Sequence, residues 1–348
     1  MLTSRHDRDV RESGSNAIMA SLIGLERSLL GEVAHEHWGG QLGSYIVSGP
    51  LQQRTHSRFY KIENPHLPFS LAAKFFLQAE RGLPNPRVAS EQFNALQKIN
   101  QRFSHPSYTV IQPVLIRPDH GLLLMEWIEA RSLTSYFRYR VPRQQQLAGL
   151  QGAGSWLAHF HQSGSLTPGS FDWQHKQKEA RLLQSRPLAS KVFRRAAGTL
   201  VESSGQLETV TVQHCWLHGD FKADNVLIQP RSVVGIDIAL RDLNAVEYDL
   251  AQFLNQLELL WYAPQRAWRI LPGKAAGPEL SEVFLRAYQS IQPQVNPFVV
   301  AWLRLFLTLS LWQRYRDSSP QSLKQVVLDW LFAKMADQSA RELVALRA

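Results

Sequence analysis

The sequence contains one cysteine, Cys215, in 348 residues. That excludes an intramolecular disulfide framework and fits a reducing compartment. Lysine is also scarce: ten of the 38 cationic residues are lysines and the rest arginines, against 29 acids, for a formal net charge of +9. There is no apolar run near the N-terminus, where Arg5, Asp7, Arg8, Asp9, Arg11 and Glu12 stand instead, so no signal peptide is expected. The longest apolar stretch, Phe298 to Trp312, is interrupted by Arg304; it is too short to span a bilayer and reads as a buried helix. Repeats and low-complexity tracts are absent. Collagenous, disulfide-rich, transmembrane and wholly disordered classes are therefore excluded. A cytoplasmic globular protein without stable membrane insertion is expected, and 44% hydrophobic residues suffice for two or three packing units.

The arginine excess points to phosphate, carboxylate or nucleic-acid partners, because guanidinium forks match planar anions. A solvated basic surface gives the same arithmetic. No aromatic-basic RNA motif and no recognition-helix signature accompanies the charge, so nucleic acid is not expected as a partner.

Along the chain, residues 1–38 combine a polar start with an amphipathic helix over Ala17 to Val33, on which Ile18, Leu22, Leu25 and Leu29 recur at helical spacing. Three strand-like runs follow: Tyr45–Val47, Arg58–Ile62 and Phe69–Leu77. Gly49-Pro50 and Asn64-Pro65 read as the turns between them. A helix is predicted over Val88 to Phe103, then strands over Tyr108–Ile116 and Leu122–Trp127 joined by Pro118-Asp119-His120-Gly121. Beyond Glu129 the pattern is mostly helical, interrupted by the short β segments Val226–Ile228 and Val233–Ile236. The expected class is α+β, with an N-terminal helical extension over 1–38, a small antiparallel-sheet lobe over 39–128 and a larger, mainly helical lobe over 129–348.

The strongest local signal is His218-Gly219-Asp220-Phe221-Lys222-Ala223-Asp224-Asn225, followed by an apolar strand and Asp237 in Gly235-Ile236-Asp237. Asp220 can accept a proton from a substrate hydroxyl. Asn225 and, across a short hairpin, Asp237 offer hard oxygen ligands for Mg²⁺. Phosphoryl transfer needs such a set, because the step is mainly positioning and charge stabilisation. Lys222, two residues after Asp220, either neutralises the transferred group or is a solvated loop lysine. His218, His161 and Asp249 read as supports of the loop, and Cys215 as a core strand residue.

At these residues the chain resembles the aminoglycoside phosphotransferase and choline kinase superfamily, with its H-G-D-x-x-x-x-N loop and later I-D strand. Asp249, in Tyr248-Asp249-Leu250-Ala251, follows Asp237 at the family's spacing, and Leu157-Ala158-His159-Phe160-His161 is similar to its L-x-x-x-H helix end. The likeness covers roughly residues 40–315. It implies a bilobal, protein-kinase-like fold and ATP with Mg²⁺ as cofactors.

The resemblance also implies roles in the small lobe. Lys74, inside the apolar run Phe69–Leu77, would meet the nucleotide phosphates and pair with Glu91, with Glu80 as the other candidate. The phosphate-covering turn would lie at Ser48 to Ser57, with Ser48, Gly49 and Ser57 as contacts, although a plain hairpin fits the residues equally well. Backbone groups of Glu126 and Ile128 would hold the adenine edge. The chain departs from the family at Asn244-Ala245-Val246, where G-D-P is usual, and at Ile238-Ala239 after Asp237.

Asp249 stands only twelve positions after Asp237, too close for the activation segment of a protein kinase, so a small hydroxylated acceptor is expected. The 161–218 segment carries Lys176, Lys178, Arg181, Arg186, Lys191, Arg194 and Arg195, and Arg131, Arg138, Arg140 and Arg143 lie nearby in sequence. Such a basic rim would repel a polycation. A sugar or envelope saccharide is therefore the expected acceptor, with an aminoglycoside or choline-type amino alcohol as the alternative. A catalytically silent nucleotide-binding scaffold is the alternative of another class.

Overall fold

The computed structural model describes residues 23–37, 45–65, 69–80, 82–139, 141–185, 190–240, 243–261, 277–318 and 323–347. Two compact units emerge, one of Met1–Gln97 with Ile111–Glu129, the other of Lys98–Val110 with Ala130–Ala348.

The first unit is built on an antiparallel sheet of β1 (Ile46–Arg54), β2 (Ser57–Glu63), β3 (Leu71–Phe76), β5 (Pro113–Arg117) and β6 (Leu122–Glu126), in the order β1-β2-β3-β6-β5. Strand alternation gives the sheet two different faces. Leu71, Ala73 and Phe75 of β3 join Tyr60, Ile62, Leu122 and Leu124 in a core covered by helix α1 (23–37) through Leu30, Val33 and Ala34. The buried face of α1 differs from the one expected. Leu25 is 66% exposed, whereas Glu26 is buried, because Glu26 accepts both Arg58 Nε (2.9 Å) and Tyr60 Oη (2.6 Å) from β2. Ile18 and Leu22 lie outside the described residues.

Two further expectations change in this unit. The chain does not turn at Gly49-Pro50; β1 runs through it with a register irregularity between Ser48 and Gln52, and the hairpin turn is Thr55-His56. As an edge strand, β1 loses no ladder bond to the missing proline N–H. The run Tyr108–Ile116 is not one strand either. β4 (Tyr108–Val110) pairs parallel with β11 (Val233–Gly235) in the second unit, and only β5 pairs with β6. Pro118–His120 forms the expected tight turn, closed by Gly121 in the left-handed conformation. Helix α2 occupies Pro86–Arg102.

The second unit has two small sheets: β4-β11-β10-β7, with β7 at Arg131–Ser132 and β10 at Val226–Ile228, and β12-β9-β8, with β8 at Thr167–Ser170, β9 at Thr211–Trp216 and β12 at Leu243–Ala245. Helices α3 (Leu133–Arg138), α4 (Arg143–Ser163), α5 (Trp173–Gln184), α6 (Lys191–Ser203), α7 (Glu247–Trp261), α8 (Gly277–Gln289), α9 (Pro297–Ser318) and α10 (Leu323–Ala345) make up most of the rest. The apolar run Phe298–Trp312 lies within α9 and is core, as its composition predicts. Its one cation, Arg304, is buried on Glu258 (2.9 Å) and Glu342 (2.8 Å), which removes the cost of an unpaired charge. Among the described residues no helix is long and apolar enough to cross a membrane.

Candidate active site

Loop 218–225 is fixed from within. Phe221, fully buried, stacks on Trp156 of α4 (centroids 5.6 Å, planes 5° apart) and packs on Phe253 of α7. His218 is also fully buried, and its backbone N–H donates to Asp249 Oδ2 at 2.7 Å. The Gly219 N–H donates to Asp249 Oδ1 at 3.1 Å. Gly219 takes φ +80°, a conformation strained for any residue with a Cβ, and so lets the chain reverse after both amides have met one carboxylate.

Asp249 in turn accepts from His161 Nε2 at 3.1 Å, while His161 Nδ1 meets the Tyr288 hydroxyl at 2.7 Å. Burial alone would raise the Asp249 carboxyl; the bonds from His161 and the His218 N–H hold it below the ordinary value instead. His218 is kept neutral chiefly by burial, against the opposing pull of Asp249, Asp220 and Asp237. The two histidines and Asp249 therefore brace the loop, as their sequence context suggests.

The Asp220 carboxylate, 39% exposed, stands at the open side of this frame. Lys222 Nζ forms an ion pair with Oδ2. Asn225 Nδ2 donates to the Asp220 carbonyl at 2.9 Å and to Oδ2 at 3.3 Å. Gln252 Nε2, from α7, donates to Oδ1 at 3.1 Å. Lys222 is 17% exposed, so it belongs to this cluster rather than to a solvated loop surface. Gln252 was not visible to sequence reasoning; its only signal was its place one helical turn after Asp249.

Strand β11 brings Asp237 back to the loop. The Ile236 N–H donates to the Asn225 carbonyl at 3.0 Å and the Ala239 N–H to the His218 carbonyl at 3.1 Å. Asp237 has φ +61°, a sparsely populated conformation of the kind found where local structure serves a site. A divalent cation needs oxygen donors. The Asn225 amide nitrogen is turned to Asp220, which leaves Oδ1 for a cation, and Asp237 adds a carboxylate. Such a pair fits Mg²⁺, which takes few protein ligands when phosphates and water supply the rest. Among the described residues no group of three or more His, Cys, Asp or Glu could hold a metal by itself.

In the first unit, Lys74 is in register with Phe59 and Leu123, Ser57 with Phe76, Ser48 with Lys61, and Ala72 with Met125. By alternation, Ser48, Ser57 and Lys74 share the sheet face opposite α1. Lys74 Nζ lies 4.8 Å from the Phe76 ring centroid. Glu91, on α2, accepts from Arg87 Nε at 2.7 Å, a pair exposed on both sides. Ser48 and Gly49 sit in β1 rather than in the turn, and the Arg27 guanidinium of α1 donates to the Gly49 carbonyl. The Glu126 N–H donates to the Gln112 carbonyl at 3.0 Å and its carboxylate accepts from the Gln112 N–H at 2.9 Å. Ile128 lies in the irregular segment between β6 and β7.

A braced H-G-D loop whose aspartate meets Lys222, Asn225 and Gln252, with Asp237 just beyond the strand that returns to it, has the layout of a phosphotransferase loop. Residues 58–306 match the family described as the phosphotransferase enzyme family, which is most of the chain, and the protein belongs to that family. It is a kinase of small-molecule type, a phosphotransferase acting on an alcohol group. Solved structures of the same fold include a protein from Ralstonia eutropha JMP134 classed with the aminoglycoside phosphotransferases (TM-score 0.60, 14% identity, covering 92% of this chain and 98% of that one). A glucosamine kinase in complex with glucosamine, ADP and inorganic phosphate is similar at TM-score 0.56 and 13% identity, covering 91% and 87%. The choline kinase of Streptococcus pneumoniae follows at TM-score 0.52 and 16% identity, covering 90% and 98%. No curated protein sequence matches the chain.

Proposed function

We propose that the protein transfers the γ-phosphoryl group of ATP to a hydroxyl of a sugar or envelope saccharide. The observation that carries this reading is the Asp220 carboxylate, held by three side chains on a loop whose backbone is tied to a buried aspartate. Asp220 orients the acceptor hydroxyl and takes its proton as the oxygen attacks phosphorus. Asn225 and Asp237 hold Mg²⁺, which when bound neutralises charge on the phosphate oxygens. Lys74 binds the nucleotide phosphates, Ser48, Gly49 and Ser57 contact them, and Glu126 and Ile128 line the adenine. Glu91 steadies Lys74 after exchanging its partner Arg87, an exchange of small cost because the Arg87–Glu91 pair is exposed to solvent. Lys222 keeps one N–H on Asp220 Oδ2 and neutralises the transferred group with another when nucleotide is bound.

The acceptor class rests on charge. Lys176 and Arg195 are paired with Glu179 and Asp337, and Arg143 with Glu279. Lys178, Arg181, Lys191 and Arg194 maintain the positive balance of the 161–218 segment. This pairing also leaves room for a second reading, an aminated acceptor of the aminoglycoside or choline type. The likeness to a glucosamine kinase suits either reading, because glucosamine is a sugar and an amine. The reading also takes the protein to be cytoplasmic, where ATP is available, and without a nucleic-acid partner.

A screen of ATP consumption over neutral sugars, sugar phosphates, glucosamine, choline and kanamycin tests the assignment. Turnover of sugars with little of kanamycin supports the first reading, and the reverse pattern supports the second. Asp237→Ala is expected to abolish Mg-ATP turnover. Asp220→Asn is expected to abolish it while retaining the melting shift produced by Mg-ATP, about 2.7 kcal/mol at a hundredfold excess over Kd. Loss of that shift in both variants would contradict the separate roles of Asp220 and Asp237.

A further inference from the structure

The two oxygens of Asp220 are not equally engaged. Oδ2 takes Lys222 and Asn225, whereas Oδ1 takes Gln252 alone, at 3.1 Å. A carboxylate oxygen has about two acceptor positions, so Oδ2 is filled and Oδ1 retains one. We propose that Gln252 is a positioning residue that aims the remaining lone pair of Asp220 Oδ1 at the acceptor hydroxyl. The inference rests on the proposed base role of Asp220.

Gln252 is suited to this by its place on α7. It stands three positions after Asp249, so the two project from neighbouring turns of one helix face. Asp249 holds the loop backbone at His218 and Gly219, and Gln252 holds the reactive side chain. One rigid helix thus sets both where the loop runs and how its carboxylate is rotated, the kind of support that keeps a reacting group in productive geometry. Without Gln252, Lys222 and Asn225 pull on Oδ2 alone, and rotation about Cβ–Cγ is no longer fixed from the other side. In the step itself the hydroxyl O–H proton passes to Oδ1. The acceptor oxygen bonds to the γ-phosphorus as the bridging P–O bond to the β-phosphate breaks, and the leaving oxygen stays on ADP.

Gln252→Met removes the donor at similar volume, and Gln252→Lys restores a donor of similar reach. In the ATP-consumption assay with the best acceptor of the screen, Gln252→Met is expected to lower kcat about tenfold with the nucleotide KM and the melting temperature unchanged. Gln252→Lys is expected to recover most of the loss. Wild-type kcat in Gln252→Met overturns the proposal, provided Asp220→Asn is inactive. An active Asp220→Asn instead overturns the base role of Asp220. A crystal structure of Gln252→Met gives a readout independent of the acceptor: the Asp220 carboxylate is expected to rotate, and an unmoved carboxylate counts against the proposal. Should Gln252→Met fold poorly, Gln252→Leu, apolar and without a donor, is expected to show the same loss.

Discussion

Trp156 lies so close to Gly235 that a Cβ at position 235 would stand 2.0 Å from the indole Cζ2. The same indole donates its N–H to the Thr109 carbonyl at 2.7 Å. Thr109 is on β4, the strand beside β11, so the ring is fixed on both counts. Gly235 ends β11, two residues before Asp237. The approach of α4 to this sheet therefore depends on a residue with no side chain, at the strand that delivers the candidate metal carboxylate.

Gly235→Ala is accordingly expected to destabilise the protein by about 1–3 kcal/mol through overpacking, and to reduce turnover by displacing Asp237. Urea unfolding and the steady-state rate measure the two effects. An unchanged midpoint would show that Trp156 can move aside and that the contact is not a constraint.

Asp249→Asn removes the charge that receives His161, the His218 N–H and the Gly219 N–H. Breaking a buried, fully engaged carboxylate of this kind costs about 3 kcal/mol or more. Because the folded Asp249 carboxyl lies below its ordinary value, its stabilisation is present above the unfolded pKa and is lost as pH falls through the folded one. The stability difference between wild type and Asp249→Asn should shrink as the pH is lowered into that range. A difference independent of pH would count against the charged state of Asp249.

Much of this site was legible in the sequence, because the residues of a phosphoryl-transfer loop are consecutive and their spacing encodes the hairpin that returns Asp237. The turn at Pro118–Gly121 and the apolar helix around Trp302 were legible for the same reason, being local. The rest was set by partners far along the chain. Nothing near Pro50 says that it lies on a sheet edge, where the missing N–H is harmless. Nothing near Tyr108 says that Val110 leaves the first unit's sheet to run parallel to β11. Strands β8, β9 and β12 are short and irregular in burial, so alternation does not mark them. Leu25 and Glu26 exchange their expected places because Arg58 and Tyr60, more than thirty residues away, want a carboxylate.

Glu247 gives a pH signature of opposite sign to Asp249. Burial pushes its carboxyl up to about 7; Oε1 accepts from the Asn296 N–H at 3.1 Å and Oε2 has no hydrogen-bond partner among the described residues. In the unfolded chain this group ionises from about 4.5, so stability is fully present below that pH and declines as pH rises to about 7. With about 1.4 kcal/mol per pH unit, the decline is about 3 kcal/mol. Glu247→Gln should lack it, so its stability relative to wild type should improve between pH 4.5 and 7. Parallel stability curves for the two proteins over that interval would refute the assignment.

Glu26→Ala leaves Arg58, 3% exposed, without its carboxylate. Removing one partner of a buried pair costs about 3–5 kcal/mol, and Glu26→Ala also frees the Tyr60 hydroxyl. The loss should be accompanied by faster proteolysis within 23–37, since Glu26 fastens that helix to β2. Protease resistance equal to wild type would mean that Leu30, Val33 and Ala34 suffice to hold it.

Cys215 lies on β9, completely buried, with its thiol pushed well up by burial and by the nearby charges of Asp249 and Glu247. A thiol reagent reaches only the thiolate of an accessible cysteine, so the folded chain should be inert to alkylation and one equivalent should react per molecule that opens. As the sequence has no other cysteine, the natural protein carries a built-in counter of unfolding events. A cysteine introduced elsewhere on the surface would be a unique attachment point for a spectroscopic label, with no background substitution required.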